Sequence, residues 1–223
     1  MGHLSKLQDE YGKKGLHVIA INGENREMHL RYMVHQDPGF TYKLAIGGGS
    51  AYAVKGIPHA YLIDPDGIVV WEGSPSSMSE KKDLAPALKK VRKPTDEEAA
   101  ARADKMLQHA EALAADKLFL RAEAAFAKIG DLYPRTDAAE KAKERADAMS
   151  ADDNEAEYKA QAEIAKLVGG LEAPDPADKK LKGKQIERNA KKLRELAEEF
   201  SESAPRSAKL AEEWAVVFET PWE

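Results

Sequence analysis

The sequence predicts an α/β domain over residues 1–92 followed by an all-helical domain over 95–223. Three observations carry this. The run 16-LHVIAIN-22 is β-branched and almost wholly apolar, as a strand covered on both faces reads. Residues 59-HAYLI-63 and 68-IVVWEG-73 flank 64-DPDG-67, where Asp and Gly suit the turn positions of a hairpin. From residue 95 the chain becomes Ala-rich, with apolar residues at helical spacing.

Taken in order, Leu4, Leu7 and Tyr11 form the stripe of an amphipathic helix that Gly12 and Gly15 end. After the 16–22 strand, 24-ENREMHLRYMVHQ-36 reads as a helix stopped by 37-DPG-39. The segment 40-FTYKLAI-46 alternates like a short strand, and 47-GGGS-50 is a loop. The hairpin closes the domain.

In the second half, Thr95 and Glu98 form a capping box ahead of 99-AAARADKMLQHAEALAAD-116. A second helix places Leu118, Ala122, Ala125, Phe126, Ile129, Leu132 and Tyr133 on one face and stops at Pro134. Thr136 caps a third helix, 137–149, and Ser150 with Asp153 a fourth that runs to 169-GG-170. A charged linker, 171-LEAPDPADKKLKGK-184, precedes two more helices. Leu193, Leu196, Ala197 and Phe200 share a face of the first; Leu210, Trp214, Val217 and Phe218 share a face of the second. Two stretches, 131-DLYPRTDAAEKA-142 and 202-ESAPRSAKLAEEW-214, repeat a pattern: helix end, Pro, Arg, hydroxyl cap, Ala-rich helix. The first copy looks like a tetratricopeptide-type unit; the second is looser, and a plain bundle is the alternative.

Composition narrows the function classes. Of 223 residues, 43% are apolar and 33% charged, with a net charge of −5. The acidic balance argues against a nucleic-acid partner, and the densest basic run singled out, 179-KKLKGK-184, is flanked by Asp178 and Glu187 and reads as solvated linker. No stretch approaches the ~20 apolar residues of a membrane span. The opening MGHLSKLQDEYGKKG holds no apolar signal core, and Lys6 breaks the myristoylation pattern. There are no cysteines, so disulfides, thiolate metal sites and thiol catalysis are all excluded for these residues.

Pro58 stands where a strand is about to begin, and proline cannot donate to a ladder. The string Tyr52-Ala53-Val54-Lys55-Gly56-Ile57-Pro58, an apolar strand, Asp-Pro-Asp-Gly and a second strand resembles the thioredoxin-like redoxin family. The resemblance is to its bacterial thiol–disulfide oxidoreductase and peroxiredoxin-related branch. Upstream, Leu4, Leu7, Tyr11, Gly15 and the strand Val18-Ile19-Ala20-Ile21-Asn22 are similar to the same family at the right separation. The likeness covers residues 3 to about 92. It implies a cis Ile57–Pro58 bond and a backbone at Ile57 open to an extended peptide. It therefore implies Ile57, Pro58 and His59 as substrate-binding residues, and a protein or peptide as partner.

The same resemblance exposes a gap. The family's chemistry uses a Cys-x-x-Cys at the start of its first helix, whose N-terminus lowers the thiol pKa. Here Met1-Gly2-His3 stands where residues just after that motif would be. The strand that precedes the motif, central between 16–22 and 59–63, is missing as well. The expectation is a sequence that starts downstream of that motif in a longer protein; the alternative is a divergent domain whose gap another segment or chain fills. Either way, thiol catalysis is not expected, and no catalytic residue, cofactor or metal is assigned.

The remaining polar residues read as structural. His29 and His35 are six apart, off the register for sharing a metal. Asp64 and Asp66 are turn residues first. No Gly-Lys-Ser/Thr follows the glycine loop at 47–50, so it is no phosphate cradle. Trp71, Trp214 and Trp222 read as packing residues. The two function classes are thus a redoxin-type oxidoreductase and a non-catalytic protein-binding scaffold.

Overall fold

A computed structural model describes residues 2–36, 39–47, 54, 56–149, 154–169, 181 and 183–221. Asp37 and Pro38 of the expected stop, most of the 47–50 loop, Tyr52, Ala53, Lys55, the Ser150–Asp153 cap, most of the 171–184 linker and Trp222 lie outside them. The chain divides between Lys93 and Pro94 into two units.

In the first unit, α1 (Gly2–Tyr11) buries Leu7, with Leu4 and Tyr11 half-buried beside it. A 3-10 turn, Gly12–Lys14, ends at Gly15 with φ of 103°. A Cβ there would sit 2.7 Å from Val91 Cγ1, so both the left-handed backbone and the close approach demand glycine. The chain then enters β1 (Ile19–Asn22), crosses by α2 (Arg26–Gln36) and returns as β2 (Lys43–Ile46), parallel to β1 with Ile19 opposite Lys43. Parallel strands need such a crossover. Phe40 and Tyr42 stack at 4.9 Å and, with Val34, are buried under this unit.

The 16–22 strand is corrected in length and in burial. Pairing regular enough to count as strand begins at Ile19, because Gln8 Oε1 of α1 accepts from the Val18 backbone at 2.8 Å. Nor are both faces covered: Ile19 and Ile21 are 58% and 66% exposed. A sheet of two strands leaves one face without an element to bury it.

The hairpin is β3 (Ala60–Ile63) against β4 (Val69–Gly73), antiparallel, with Leu62 opposite Trp71 and an irregularity after Leu62. Asp64 makes the turn: its Oδ1 accepts from the backbones of Asp66 and Ile68, each at 3.0 Å, while Gly67 takes φ of 82°. A π-helical turn (Glu80–Leu84) and α3 (Ala85–Lys89) follow, and sequence reading assigned no helix there. Leu7, Leu62, Leu84 and Ala87 form the core beneath them.

The second unit is helical throughout its described residues. α4 (Asp96–Ala115) starts at a complete capping box: Thr95 Oγ1 accepts from Glu98 N, and Glu98 Oε2 from Thr95 N. α5 (Phe119–Leu132) and α6 (Asp137–Met149) pack with α4 around Leu107, Phe126 and Ile129. Thr136 Oγ1 accepts from Ala139 N at the start of α6. Leu132 departs from its expected face: it is 53% exposed, on the last turn of α5. α7 (Glu155–Val168), α8 (Gly183–Glu199) and α9 (Pro205–Glu219) complete the unit. Leu193 and Phe200 are buried on the α8 side, and Leu210, Trp214, Val217 and Phe218 on α9. Ser207 is also corrected: α9 starts at Pro205, so this hydroxyl lies inside the helix and does not cap it.

The small sheets and the long helical run fit a thioredoxin-like domain followed by a helical region. No described helix is long and apolar enough to cross a membrane.

Candidate functional site

The segment that enters β3 carries the residues singled out from sequence. Ile57 is 95% exposed, which is unusual for so large an apolar side chain, and the Ile57–Pro58 peptide is cis. Pro58 is exposed and His59 half-buried. The His59 ring lies 4.9 Å from that of Tyr61, and its Nε2 is shut off from solvent without a hydrogen-bond partner among the described residues. Buried polar atoms in folded proteins are nearly always paired, so this nitrogen stands out among the described residues. The three residues follow one another in the chain, and the structure keeps them at the start of one strand.

That strand is open on one side. Among the described residues β3 pairs with β4 alone and β1 with β2 alone, in two separate sheets of two. A strand with one neighbour presents a row of unpaired N–H and C=O groups. Apolar side chains accompany the open edges: Ile19 and Ile21 on β1, Ile63 on β3, and Val69 and Val70 on β4 are all exposed.

At the far end of β3 the electrostatics are structural. Lys90 Nζ donates to Asp64 Oδ2 at 2.6 Å and lies 3.6 Å from Asp66. Hydrogen bonding from Lys90, then from the Ile68 backbone, holds the Asp64 carboxyl below the usual carboxylate range. The same contact holds the Lys90 ammonium above its ordinary value. Asp64 and Asp66 thus serve the turn and its tie to the end of α3; no acid–base role attaches to them.

Sequence reasoning missed two contacts here. One is the Lys90 tie; the other joins Tyr11 to Glu80, with the phenol donating at 2.8 Å. That bond, with a lesser one to Glu10, pushes the Tyr11 hydroxyl up to about 12. The available signal was the spacing of Leu84, Ala87 and Leu88, a helical stripe in an otherwise basic stretch.

The histidines do not converge, and no group of three His, Asp or Glu that could hold a metal is found among the described residues. Burial lowers the His29 pKa, partly opposed by Glu24.

Comparison with known proteins gives one kind of relative. The thiol–disulfide oxidoreductase ResA of Bacillus anthracis is 31% identical over 74 residues, 31% of this chain and 42% of that protein. ResA of Bacillus cereus is 30% identical over 94 residues, 41% of this chain and 53% of that protein. These likenesses support a thioredoxin-like family. The chain spans about half the length of the curated relatives it matches. No family model matches. No solved structure matches.

Proposed function

We propose that residues 3–92 are a thioredoxin-like domain of thiol–disulfide oxidoreductase type, with Ile57, Pro58 and His59 forming the place where an extended polypeptide docks. The observation that carries this reading is Ile57: a 95%-exposed isoleucine at the mouth of a strand that, among the described residues, pairs on one side alone. An extended peptide can add there as another strand, gaining main-chain hydrogen bonds from the edge and apolar contact from Ile57. The likeness to ResA supports the same reading. Thiol exchange is not part of it for the residues given, because a thiolate is the nucleophile and the sequence has no cysteine.

A second reading rests on the helical unit, residues 95–223, as a tetratricopeptide-like arrangement. Stacked helix pairs offer extended surfaces to protein partners. Here the chain is a non-catalytic protein-binding scaffold in which a cysteine-free thioredoxin-like platform is combined with the helical repeats.

One titration separates them. An unfolded, alkylated and fluorescein-labelled lactalbumin serves as the extended chain, with anisotropy as the readout. The first reading expects binding that Ile57→Asp weakens at least fivefold, about 1 kcal/mol, with no loss in the turn variant Asp66→Asn. Equal affinity in Ile57→Asp would move the binding to the helices and support the scaffold. In a dithiothreitol-driven insulin-reduction assay the chain should give only background turbidity; turnover above it would contradict the thiol argument.

A further inference from the structure

Two polar side chains on one face of α7 reach the starts of two other helices. Glu157 and Gln161 are one turn apart, and each is about 5% exposed. At the start of α9, whose flanking Ala204 offers no capping side chain, Glu157 Oε1 accepts from the Arg206 backbone at 3.2 Å. Its Oε2 accepts from the Ser207 backbone at 2.9 Å and from the Ser207 hydroxyl. Gln161 serves the turn between α4 and α5. Its Oε1 accepts from Leu120 N at 3.1 Å, and its Nε2 donates to the carbonyl of Lys117 at 2.7 Å. Lys117 is a left-handed non-glycine residue, with φ of 56°. The two halves meet at Ser207, whose hydroxyl oxygen accepts from Gln161 Nε2 at 3.1 Å. Outside this group, Arg206 Nη2 donates to Asp116 Oδ2 at 2.9 Å.

Helix starts leave backbone N–H groups unsatisfied, and a buried start without a partner is costly. Neither α5 nor α9 supplies its own cap. Both borrow from α7, the helix that packs against α5 on one side and against α8 and α9 on the other. We infer that Glu157 and Gln161 form a single shared cap through which the order of the α9 start depends on the α4–α5 turn. A change at one end is then felt at the other, although 87 residues separate Leu120 from Ser207 along the chain. Such coupling gives the helical unit a joint: one helix holds two helix starts in register, and loosening either frees both.

Amide hydrogen exchange of the full chain tests this. In Gln161→Ala, the Leu120 amide loses its acceptor directly, whereas Arg206 and Ser207 keep theirs on Glu157. The inference expects at least tenfold faster exchange at all three amides, with protection over 138–146 of α6 unchanged. In Glu157→Gln, Arg206 and Ser207 accelerate directly and Leu120 is expected to follow. Acceleration confined to the helix start whose own acceptor was removed would overturn the inference, as would a uniform rise across 96–219. Should Glu157→Gln fail to fold, Ser207→Ala removes only the bridging hydroxyl. It is expected to weaken the crosstalk seen in Gln161→Ala, and undiminished crosstalk would also overturn the inference.

Discussion

Asp64 illustrates how one side chain can close a turn and anchor a helix end. Its Oδ1 organises the hairpin turn while its Oδ2 receives Lys90 from 26 residues on. Because the folded state holds this carboxyl below its ordinary range, its stabilisation is complete above the unfolded pKa of about 4 and is lost as pH falls through the folded value. Lys90 has the opposite sign: its share is complete below about 10.4 and is lost as pH rises through its raised folded value. Lys90→Met should therefore move the Asp64 carboxyl upward in a carbon-detected pH titration and raise the pH at which the first unit unfolds in acid. An unmoved Asp64 titration would mean that the turn backbone alone sets its acidity. At the same scale, Ile57 and His59 belong to the candidate site through position, with an exposed apolar side chain beside a ring nitrogen that has no partner among the described residues.

Helices and strands differ in how plainly their sequences announce them. The start of α4 is written locally in Thr95 and Glu98, and both hydrogen bonds of the box are present. Thr95→Ala should cost about 1 kcal/mol in urea unfolding of the helical unit, with Glu98→Ala giving less. A Thr95→Ala protein with an unchanged midpoint would show that tertiary packing fixes that start by itself. Other starts have no local signature. The strings Pro134-Arg135-Thr136 and Pro205-Arg206-Ser207 look alike, yet Thr136 caps α6 while Ser207 lies within α9. The difference arises 50 residues away, at Glu157. α3 escaped detection because the π-helical turn and Pro86 interrupt its period. The strand at 19–22 was legible, but its exposure was not: an apolar run indicates that burial is wanted, and only the neighbours decide whether it is supplied. For the candidate site, the proline before a strand pointed to residues 57–59. An open edge on the 59–63 strand was already implied by the family's missing central strand; the buried His59 nitrogen, without a partner among the described residues, came only with the fold.

Over the whole molecule, the joint between the units is an exposed irregular stretch with basic residues. Val91, Arg92 and Lys93 are exposed and outside any helix or strand, directly after Lys89 and Lys90. Trypsin at low ratio should cut after Lys89, Lys90 or Arg92 before any lysine or arginine between 102 and 145; Lys93 is protected because Pro94 follows. Mass spectrometry of the first products reads this directly. Early cuts within α4–α6 would show that the helical unit is the looser one.

Of the exposed large apolar residues among those described, all but Leu132 belong to the first unit, and most sit on or beside its strands. The acidic excess lies in the other unit, since residues 1–93 hold more Lys and Arg than Asp and Glu. Exposed apolar strand residues with little net charge around them favour self-association through the smaller unit, and light scattering that rises with protein concentration is the expected outcome. Lysine at position 19 or 21 is the remedy the fold best tolerates, because water already reaches both side chains.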